Sequence, residues 1–193
     1  MSLYSLHPSY AYEQSIIDNL ASKTGRSLTQ WQLYLKAKDI HDESMQLAEL
    51  KTQGLGSTQA QLVIEYVHQR GGPEHYHPEQ LVNAMFSGKK SALRPLYEML
   101  LREVLKLGSD VKVCPCKTIV PCYREHVFAQ LKPATNSRLE LGLALRGEAF
   151  SARLQDTGGS QKNDRITHRI ALHHQDDVDL DVLNGLRRAY GHG

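Results

Sequence analysis

The stretch at residues 93–133, LRPLYEMLLREVLKLGSDVKVCPCKTIVPCYREHVFAQLKP, decides the fold because its hydrophobic period changes partway along. In its first part the apolar residues recur every three or four positions, which is the pattern of one buried face of an α-helix. In its second part, from Val111, apolar and polar residues alternate and β-branched residues are frequent, which is typical of strands. We therefore expect a helix over 91–107 and then an antiparallel hairpin that turns at Glu125 and His126.

Downstream of this stretch the strand pattern continues. SRLELGLAL at 137–145 and RITHRIALH at 165–173 predict further strands, the segment between them predicts one short strand and a loop, and residues 178–190 predict a final helix. Acidic residues open that helix and Arg187 and Arg188 close it, in agreement with the helix dipole. The sequence thus predicts an α+β fold: an N-terminal helical module followed by an antiparallel sheet of four to five strands covered by two helices.

Upstream, the periodicity predicts four consecutive helices. Ser27 and Gln30 form a capping-box pattern at the start of the second helix, a third is expected over 43–52, and the fourth begins near Ser57. The segment RGGPEHYHPEQ at 70–80 is typical of a linker, because paired glycines and two prolines interrupt the helical repeat. We divide the chain into four parts: a disordered tail or cloning remnant at 1–11, a helical module at 12–72, a linker with a short helix at 73–90, and an α+β module at 91–193.

The chain resembles an uncharacterised bacterial family built of two modules. Its N-terminal helical module is matched by KTGRSLTQWQLYLKA and QGLGSTQAQLV. The α+β module that usually accompanies it is matched by ALRPLYEMLLREVLKLG, by CKTIVPCYREHVFAQLKPATNSRLELGLAL and by THRIALHHQDDVDLDVLNGLRRAY. The resemblance covers nearly the whole chain, but it implies no activity, since both modules are domains of unknown function. Similar α+β modules carry the label of predicted transport protein, which no feature of this sequence supports.

Composition and charge argue against several classes of protein. No stretch approaches the ~18 apolar residues of a membrane-spanning helix. The N-terminal MSLYSLHPSYAYEQ lacks the basic and apolar regions of a secretory signal, so we expect a cytoplasmic protein without a membrane partner. The formal net charge of +2 is unevenly placed: residues 1–90 carry 8 Lys and Arg against 9 Asp and Glu, whereas residues 111–170 carry 10 against 5. An anionic partner is therefore expected to meet the second half of the chain.

The segment GLGSTQAQLV at 54–63 matches a helix-hairpin-helix pattern, in which glycines let the backbone approach a nucleic-acid phosphate. Gly54 and Gly56 occupy its glycine positions, and the hydroxyl groups of Ser57 and Thr58 would add donors. The usual lysine after the second glycine is absent, and the surrounding module is slightly acidic, which weakens the attraction for a phosphate. The alternative is a structural turn, in which the glycines end one helix and Ser57 caps the next.

All three cysteines lie in CPCKTIVPC at 114–122. Cys114, Cys116 and Cys122 would face one side of a continuous strand, and together with His126 they are the weak candidates for a zinc site. Their C-x-C-x5-C spacing differs from that of paired C-x2-C ligands, and two prolines interrupt the strand. We therefore interpret the cysteines as small buried thiols and expect neither a metal nor a cofactor.

Motifs of the common enzyme classes are absent from the sequence, which contains no P-loop, no G-x-G-x-x-G, no G-x-S-x-G and no H-E-x-x-H. The pairs His75 with His77 and His173 with His174 are interpreted as solvated loop and strand residues rather than metal ligands. The sequence therefore favours a protein without catalytic activity and leaves an unrecognised enzyme as an alternative.

Basic residues of the predicted strands form a second candidate site for phosphate or another anion. They are Lys117, Arg124, Lys132, Arg138 and Arg169, with Tyr123 and Phe128 as candidates for stacking. In the competing interpretation Phe128 belongs to the core and the basic residues only keep the strands soluble. On an unbroken strand Lys117 and Tyr123 would share one face and Arg124 would lie on the other. We expect non-catalytic binding of nucleic acid through the glycine turn and this basic sheet surface. The alternatives are a domain that binds a small molecule or another anionic ligand, and a scaffold that self-associates into an oligomer.

Overall fold

The computed structural model describes residues 3–193, which separate into two compact units. Residues 6–77 form the helical unit, and residues 3–5 together with 78–193 form the sheet unit. The division falls between His77 and Pro78, inside the segment 73–90 that the sequence predicts to be a linker. No helix among residues 3–193 combines the length and the apolar character needed to cross a membrane.

Four α-helices build the helical unit: α1 (Ser9–Thr24), α2 (Leu28–Ala37), α3 (Glu43–Thr52) and α4 (Ser57–Val67). The predicted capping box opens α2, since the Gln30 N–H donates to the Ser27 hydroxyl and the Ser27 N–H donates to the Gln30 amide oxygen. Apolar residues of all four helices, with Leu55 between α3 and α4, form one buried core: Leu20, Trp31, Leu35, Leu50, Leu55, Ala60, Val63 and Ile64.

Residues 3–11 differ from the disordered tail that the sequence predicts. Helix α1 already begins at Ser9, whose N–H donates to Nδ1 of His7. Closer to the N-terminus, the Ser5 N–H donates to the Val113 carbonyl at 2.8 Å. Hydrogen bonds rather than a hydrophobic repeat order this segment, so the periodicity does not reveal it. The first two residues of the predicted tail lie outside the described residues.

The sheet unit contains three α-helices and a six-stranded antiparallel sheet in the order β1-β2-β3-β4-β6-β5. The helices are α5 (Pro78–Met85), α6 (Arg94–Leu105) and α7 (Leu180–Gly191). The strands are β1 (Lys112–Val113), β2 (Val120–Tyr123), β3 (Val127–Pro133), β4 (Leu139–Leu143), β5 (Gln155–Asp156) and β6 (His168–Leu172). The predicted α+β fold is confirmed. The sheet has more strands than expected because both edge strands are only two residues long.

Helices α6 and α7 cover the apolar face of the sheet. Tyr97 and Leu100 of α6 and Leu186 of α7 are buried in a single core with the inward residues of the strands. Gly185 allows α7 to approach β4 closely, since a Cβ at this position would lie 3.0 Å from the Leu143 side chain. The opposite face of the sheet receives neither helix, and this leaves its polar residues outside the core.

Candidate anion-binding face

The register of the strands separates the side chains of the sheet onto two faces. Gln130, Gly142 and Arg169 are neighbours across β3, β4 and β6, and the next row contains Lys132, Glu140 and Ala171. We call the face that carries these rows the outward face. It comprises Lys112, Pro121, Tyr123, Gln130, Lys132, Arg138, Glu140, Gly142, Arg169 and Ala171.

A cluster of two arginines and one carboxylate lies at the centre of the outward face. Arg138 Nη2 lies 3.1 Å from Glu140 Oε1, and Arg169 Nη1 lies 3.8 Å from the same oxygen. The Nε–H groups of both arginines are buried without an acceptor, so the protein does not satisfy either guanidinium group completely. Two positive charges therefore face one negative charge at this point, which leaves a net charge of +1.

Two lysines add to this positive charge. Lys132 is exposed and lies directly opposite Glu140 in the register, but it forms no ion pair with any of the described residues 3–193. Lys112 is exposed on β1, opposite Tyr123. The outward face as defined above thus carries one carboxylate, Glu140, and four cations, which leaves a local excess of +3. The four cations are Lys112, Lys132, Arg138 and Arg169.

The side chains of Gln130 and Ile166 occupy the space over Gly142 on the outward face. A Cβ at Gly142 would lie 2.7 Å both from Cγ of Gln130 and from Cγ2 of Ile166. Beside it is a concavity of about 330 Å³, lined by Val127, Gln130, Thr157, Asp164, Arg165 and Ile166. The loop before β6 thus forms a wall at one end of the outward face.

Two of the five basic residues predicted for this surface lie elsewhere. Arg124 follows β2, and its Nε donates to Asp110 at 2.9 Å while its guanidinium group lies over the Tyr190 ring. The Tyr190 hydroxyl and the Arg124 guanidinium group lower the pKa of Asp110, so Arg124 has a carboxylate partner within the chain. Lys117 is exposed in the loop between β1 and β2, because the strand is interrupted before Val120. The sheet brings together only the other three predicted cations.

Phe128 belongs to the core, as the competing interpretation of the sequence has it, and is not available for stacking. The register between β2 and β3 shifts after Cys122, so that Cys122 pairs with Ala129 and Tyr123 pairs with Val127. This irregularity sends Phe128 into the core, where it is fully buried and contacts the Tyr190 ring edge-on at 5.5 Å. A bulge of this kind changes the parity of a strand. Tyr123 remains half-buried on the outward face.

Sequence reasoning missed Lys112 and Gln130 as residues of this face. Lys112 stands between Val111 and Val113, and this alternation was sufficient to place it opposite the core. Gln130 alternates with the buried Ala129 and Leu131 in the same way.

The glycine turn between α3 and α4 uses its own backbone donors. The Gly54 N–H donates to the Lys51 carbonyl at 3.0 Å, and the Leu55 N–H donates to the Leu50 carbonyl at 3.2 Å. Gly54 has φ of 90°, a conformation that favours glycine. Leu55 is buried in the core of the helical unit. The hydrogen bonds from the Gly54 and Leu55 N–H groups thus satisfy carbonyl groups at the C-terminal end of α3.

The residue that caps α4 is Gly56, and the expectation that Ser57 caps it is wrong. The Gly56 N–H donates to the side-chain oxygen of Gln59 at 3.0 Å, as in a capping box. Ser57 is the first residue of the helix itself. The three N–H groups of residues 54–56 are thus all bonded within the chain.

The surroundings of Ser57 and Thr58 include carboxylates. A cavity of about 530 Å³ between α1, α3 and α4 is lined by both residues and also by Glu13 and Glu65. Burial raises the pKa of Glu13, whereas Arg70 lowers the pKa of Glu65 and holds it ionised. A phosphate group next to the two hydroxyl groups would meet negative charge.

The cysteines lie apart from any group of metal ligands. Among residues 3–193 no three His, Cys, Asp or Glu side chains are grouped so that they could hold a metal ion. Cys114 and Cys122 are buried and Cys116 is half-buried, all as free thiols. Burial raises the pKa of all three, that of Cys114 to about 11. His126 is exposed in the turn between β2 and β3.

The histidine pairs have local partners. His173 Nδ1 lies 2.9 Å from the Ser137 carbonyl, and His174 Nδ1 lies 3.0 Å from Asp176. His75 belongs to a short 3-10 helix, where its Nε2 lies 3.8 Å from Glu74. These contacts explain the positions of the three histidines without a metal.

A comparison with known protein families gives a match over most of the sheet unit. The family model described as Domain of unknown function (DUF5655) matches residues 82–192, from within α5 to the end of α7. None of the curated proteins and none of the solved structures matches the chain. The resemblance of the helical module to a bacterial family stays a prediction. Because the match includes the whole sheet and more than half of the 193 residues, the chain belongs to the DUF5655 family of domains of unknown function.

Proposed function

We propose that this protein is a non-catalytic binding protein and that the outward face of its sheet binds the sugar-phosphate backbone of single-stranded nucleic acid. The observation that carries the proposal is the excess of +3 on a face that neither α6 nor α7 covers. Lysine and arginine contacts with phosphates supply most of the affinity in binding that does not depend on base sequence.

The spacing of the cations suits an extended polyanion rather than a single ion. Lys112 on β1 and Arg169 on β6 are separated by four steps between neighbouring strands, which corresponds to about 19 Å at ~4.8 Å per step. Lys132 lies between them on β3. Positive charges spread over several strands of a sheet, with an aromatic residue such as Tyr123 among them, resemble the surfaces on which single strands bind.

The outward face supports this proposal more strongly than the glycine turn does. The lysine that usually follows the second glycine is absent from the sequence, and the N–H groups of residues 54–56 already have acceptors. Glu13 and Glu65 line the cavity at Ser57 and Thr58. The proposal therefore rests on the sheet and does not require the turn.

The test is the salt dependence of binding to fluorescently labelled oligothymidine, measured by fluorescence anisotropy. For single strands the logarithm of the association constant falls by about 0.7 per contacted phosphate for each tenfold rise in salt. An effective charge of three predicts a slope of about −2, and the Lys112→Ala and Lys132→Ala variants should each reduce its magnitude by about 0.7. At 0.1 M salt each variant should bind about fivefold more weakly.

Arg102→Ala is the matched control, because this exposed arginine lies on α6 and thus on the covered side of the sheet. Its affinity and slope should equal those of the wild type. A Gly56→Glu variant separates the two candidate sites: it should bind normally if the sheet carries the binding. Absent or salt-independent binding by the wild type would refute the proposal, and loss of binding in Gly56→Glu alone would transfer the function to the turn.

A further inference from the structure

A second cationic site lies at the end of β4 and uses none of the four cations of the outward face, although its Arg165 also lines the concavity beside that face. Two arginines, one histidine and one asparagine converge there on a concavity of about 440 Å³. The residues that line it are Ala144, Arg146, Asn163, Arg165 and His192. No carboxylate side chain is part of this lining, so the cavity is positively charged.

The two arginines differ from most others in the described part of the chain. Seven arginines form ion pairs with carboxylates: Arg70, Arg94, Arg124, Arg138, Arg153, Arg169 and Arg188. Within residues 3–193, neither Arg146 nor Arg165 forms such a pair. No carboxylate among residues 3–193 therefore lies within ion-pair distance of either guanidinium group.

Neutral acceptors hold these two guanidinium groups in position. Arg146 donates through Nη1 to Asn163 Oδ1 at 2.6 Å and through Nη2 to the Asp164 carbonyl at 2.9 Å. Arg165 donates through Nη1 to the His192 carbonyl at 3.4 Å. Asn163 adopts a left-handed conformation with φ of 60°, which places its side chain within reach of Arg146. Neutral acceptors orient a cation without neutralising it, and this leaves it available to an anion.

We propose that this cavity binds a phosphate group, carried by an organic monoester of about nucleotide size. Arginine is suited to phosphate because its planar fork of donors matches two phosphate oxygens. The volume of the cavity falls in the range of sites that enclose small organic molecules, so it has room for more than a bare ion. The buried Ala144 adds an apolar surface beside the charges. The proposal concerns other residues than the outward face and does not depend on nucleic-acid binding there.

The experiment is isothermal titration calorimetry of the whole chain with AMP, with adenosine and with inorganic phosphate, all at one ionic strength. Binding of AMP without binding of adenosine is expected, because the phosphate supplies the recognition. Tighter binding of AMP than of inorganic phosphate would identify an organic monoester as the ligand class, and equal affinities would identify free phosphate as the ligand of the same site. Absence of binding by both AMP and phosphate would overturn the proposal.

Two variants locate the site. Arg165→Ala removes a guanidinium group that has a single long hydrogen bond, so the fold should persist, and the affinity for AMP should fall at least tenfold. Arg146→Ala should have a similar effect, but it also releases the loop at Asn163, and a circular dichroism spectrum should accompany it. Arg187→Ala, on α7, is the matched control and should bind AMP like the wild type.

Equal AMP affinity in the wild type and in the folded Arg165→Ala variant would refute the site. The variant Lys132→Ala keeps this test separate from that of the outward face: it should lose oligothymidine affinity and keep AMP affinity. A protein that binds AMP but no oligothymidine would therefore contradict only the function of the outward face.

Discussion

Replacing Glu140 by glutamine should have opposite effects on stability and on binding. Glu140 is the single carboxylate of the outward face and is the ion-pair partner of Arg138 and Arg169. Glutamine has nearly the same shape, so the strand pairing should persist. The substitution changes the net charge of the outward face from +3 to +4.

The size of each effect follows from the geometry. About two fifths of each arginine side chain is exposed, 39% for Arg138 and 42% for Arg169, so water screens both ion pairs and their loss should cost only about 1 kcal/mol of unfolding free energy. One additional effective charge should steepen the salt dependence of binding by about 0.7 and raise the affinity for a single strand about fivefold at 0.1 M salt. A less stable protein is thus expected to bind more tightly.

The assay combines urea denaturation with anisotropy titrations of oligothymidine at several salt concentrations. Glu103→Gln is the matched control, because it also removes one carboxylate charge and breaks an ion pair. Glu103 lies on α6, and its partner Lys106 follows the end of that helix. This control should leave the affinity and the salt slope unchanged. If folded Glu140→Gln binds no more tightly than the wild type, the charge of the outward face does not determine binding and the reasoning fails.

Three further predictions concern the glycine turn, the loss of stability at acid pH and the thiols. Gly54→Ser should lower the unfolding free energy by about 1–2 kcal/mol, because the φ of Gly54 is 90°. Gly56→Ser should change the unfolding free energy by less than about 0.5 kcal/mol, because the φ of Gly56 is −66°. Urea denaturation of both variants checks this difference. The folded-state pKa of Asp110 is lowered, so its carboxylate contributes stability at neutral pH that is lost as the pH falls below 3.8 and through the folded pKa. Asp110→Asn should therefore destabilise the protein in urea melts at pH 7 and have little effect in melts at the acid limit, and an equal loss at both pH values would contradict this. Since burial raises the pKa of Cys114 to about 11 and that of Cys122 above its usual range, thiol-reactive dyes should label neither at pH 8 until denaturant is added. Cys116 is half-buried, so rapid labelling of more than one thiol per native chain would exclude the burial of the other two.

Local signals were sufficient to predict most elements of the fold. The change of period after Gly108 separates helix from sheet, and the capping pattern at Ser27 gives the start of α2. Other features were harder to predict from the sequence: the bounds of the short edge strands β1 and β5, and the ordered residues before α1. Strands of two residues and single hydrogen bonds produce no periodic pattern of their own. Such features depend on contacts between residues that are distant in the sequence.

The candidate site was predictable only where the strands are regular. Lys132, Arg138 and Arg169 have the expected parity because β3, β4 and β6 pair in continuous register. At the hairpin between β2 and β3 the register shift changes the parity of β3, so Phe128 enters the core. Arg124 lies in the turn between these strands, where it pairs with Asp110. No count of alternating residues reveals a bulge in advance, because the extra residue is defined by the partner strand.

A physical criterion distinguishes the two candidate nucleic-acid sites of this chain, the glycine turn and the outward face: whether the protein already satisfies their donors. In the turn at Gly54 and Gly56 the backbone N–H groups have acceptors within the helical unit, and a phosphate would have to displace them. On the outward face two guanidinium groups share one carboxylate oxygen, and Lys132 has no ion-pair partner among the described residues. Because an unsatisfied cation gains more from an anion than a satisfied amide does, we expect a polyanion to bind at the sheet first. A Lys112→Ala, Lys132→Ala double variant that still binds oligothymidine with the wild-type salt slope would show that this criterion selects the wrong site.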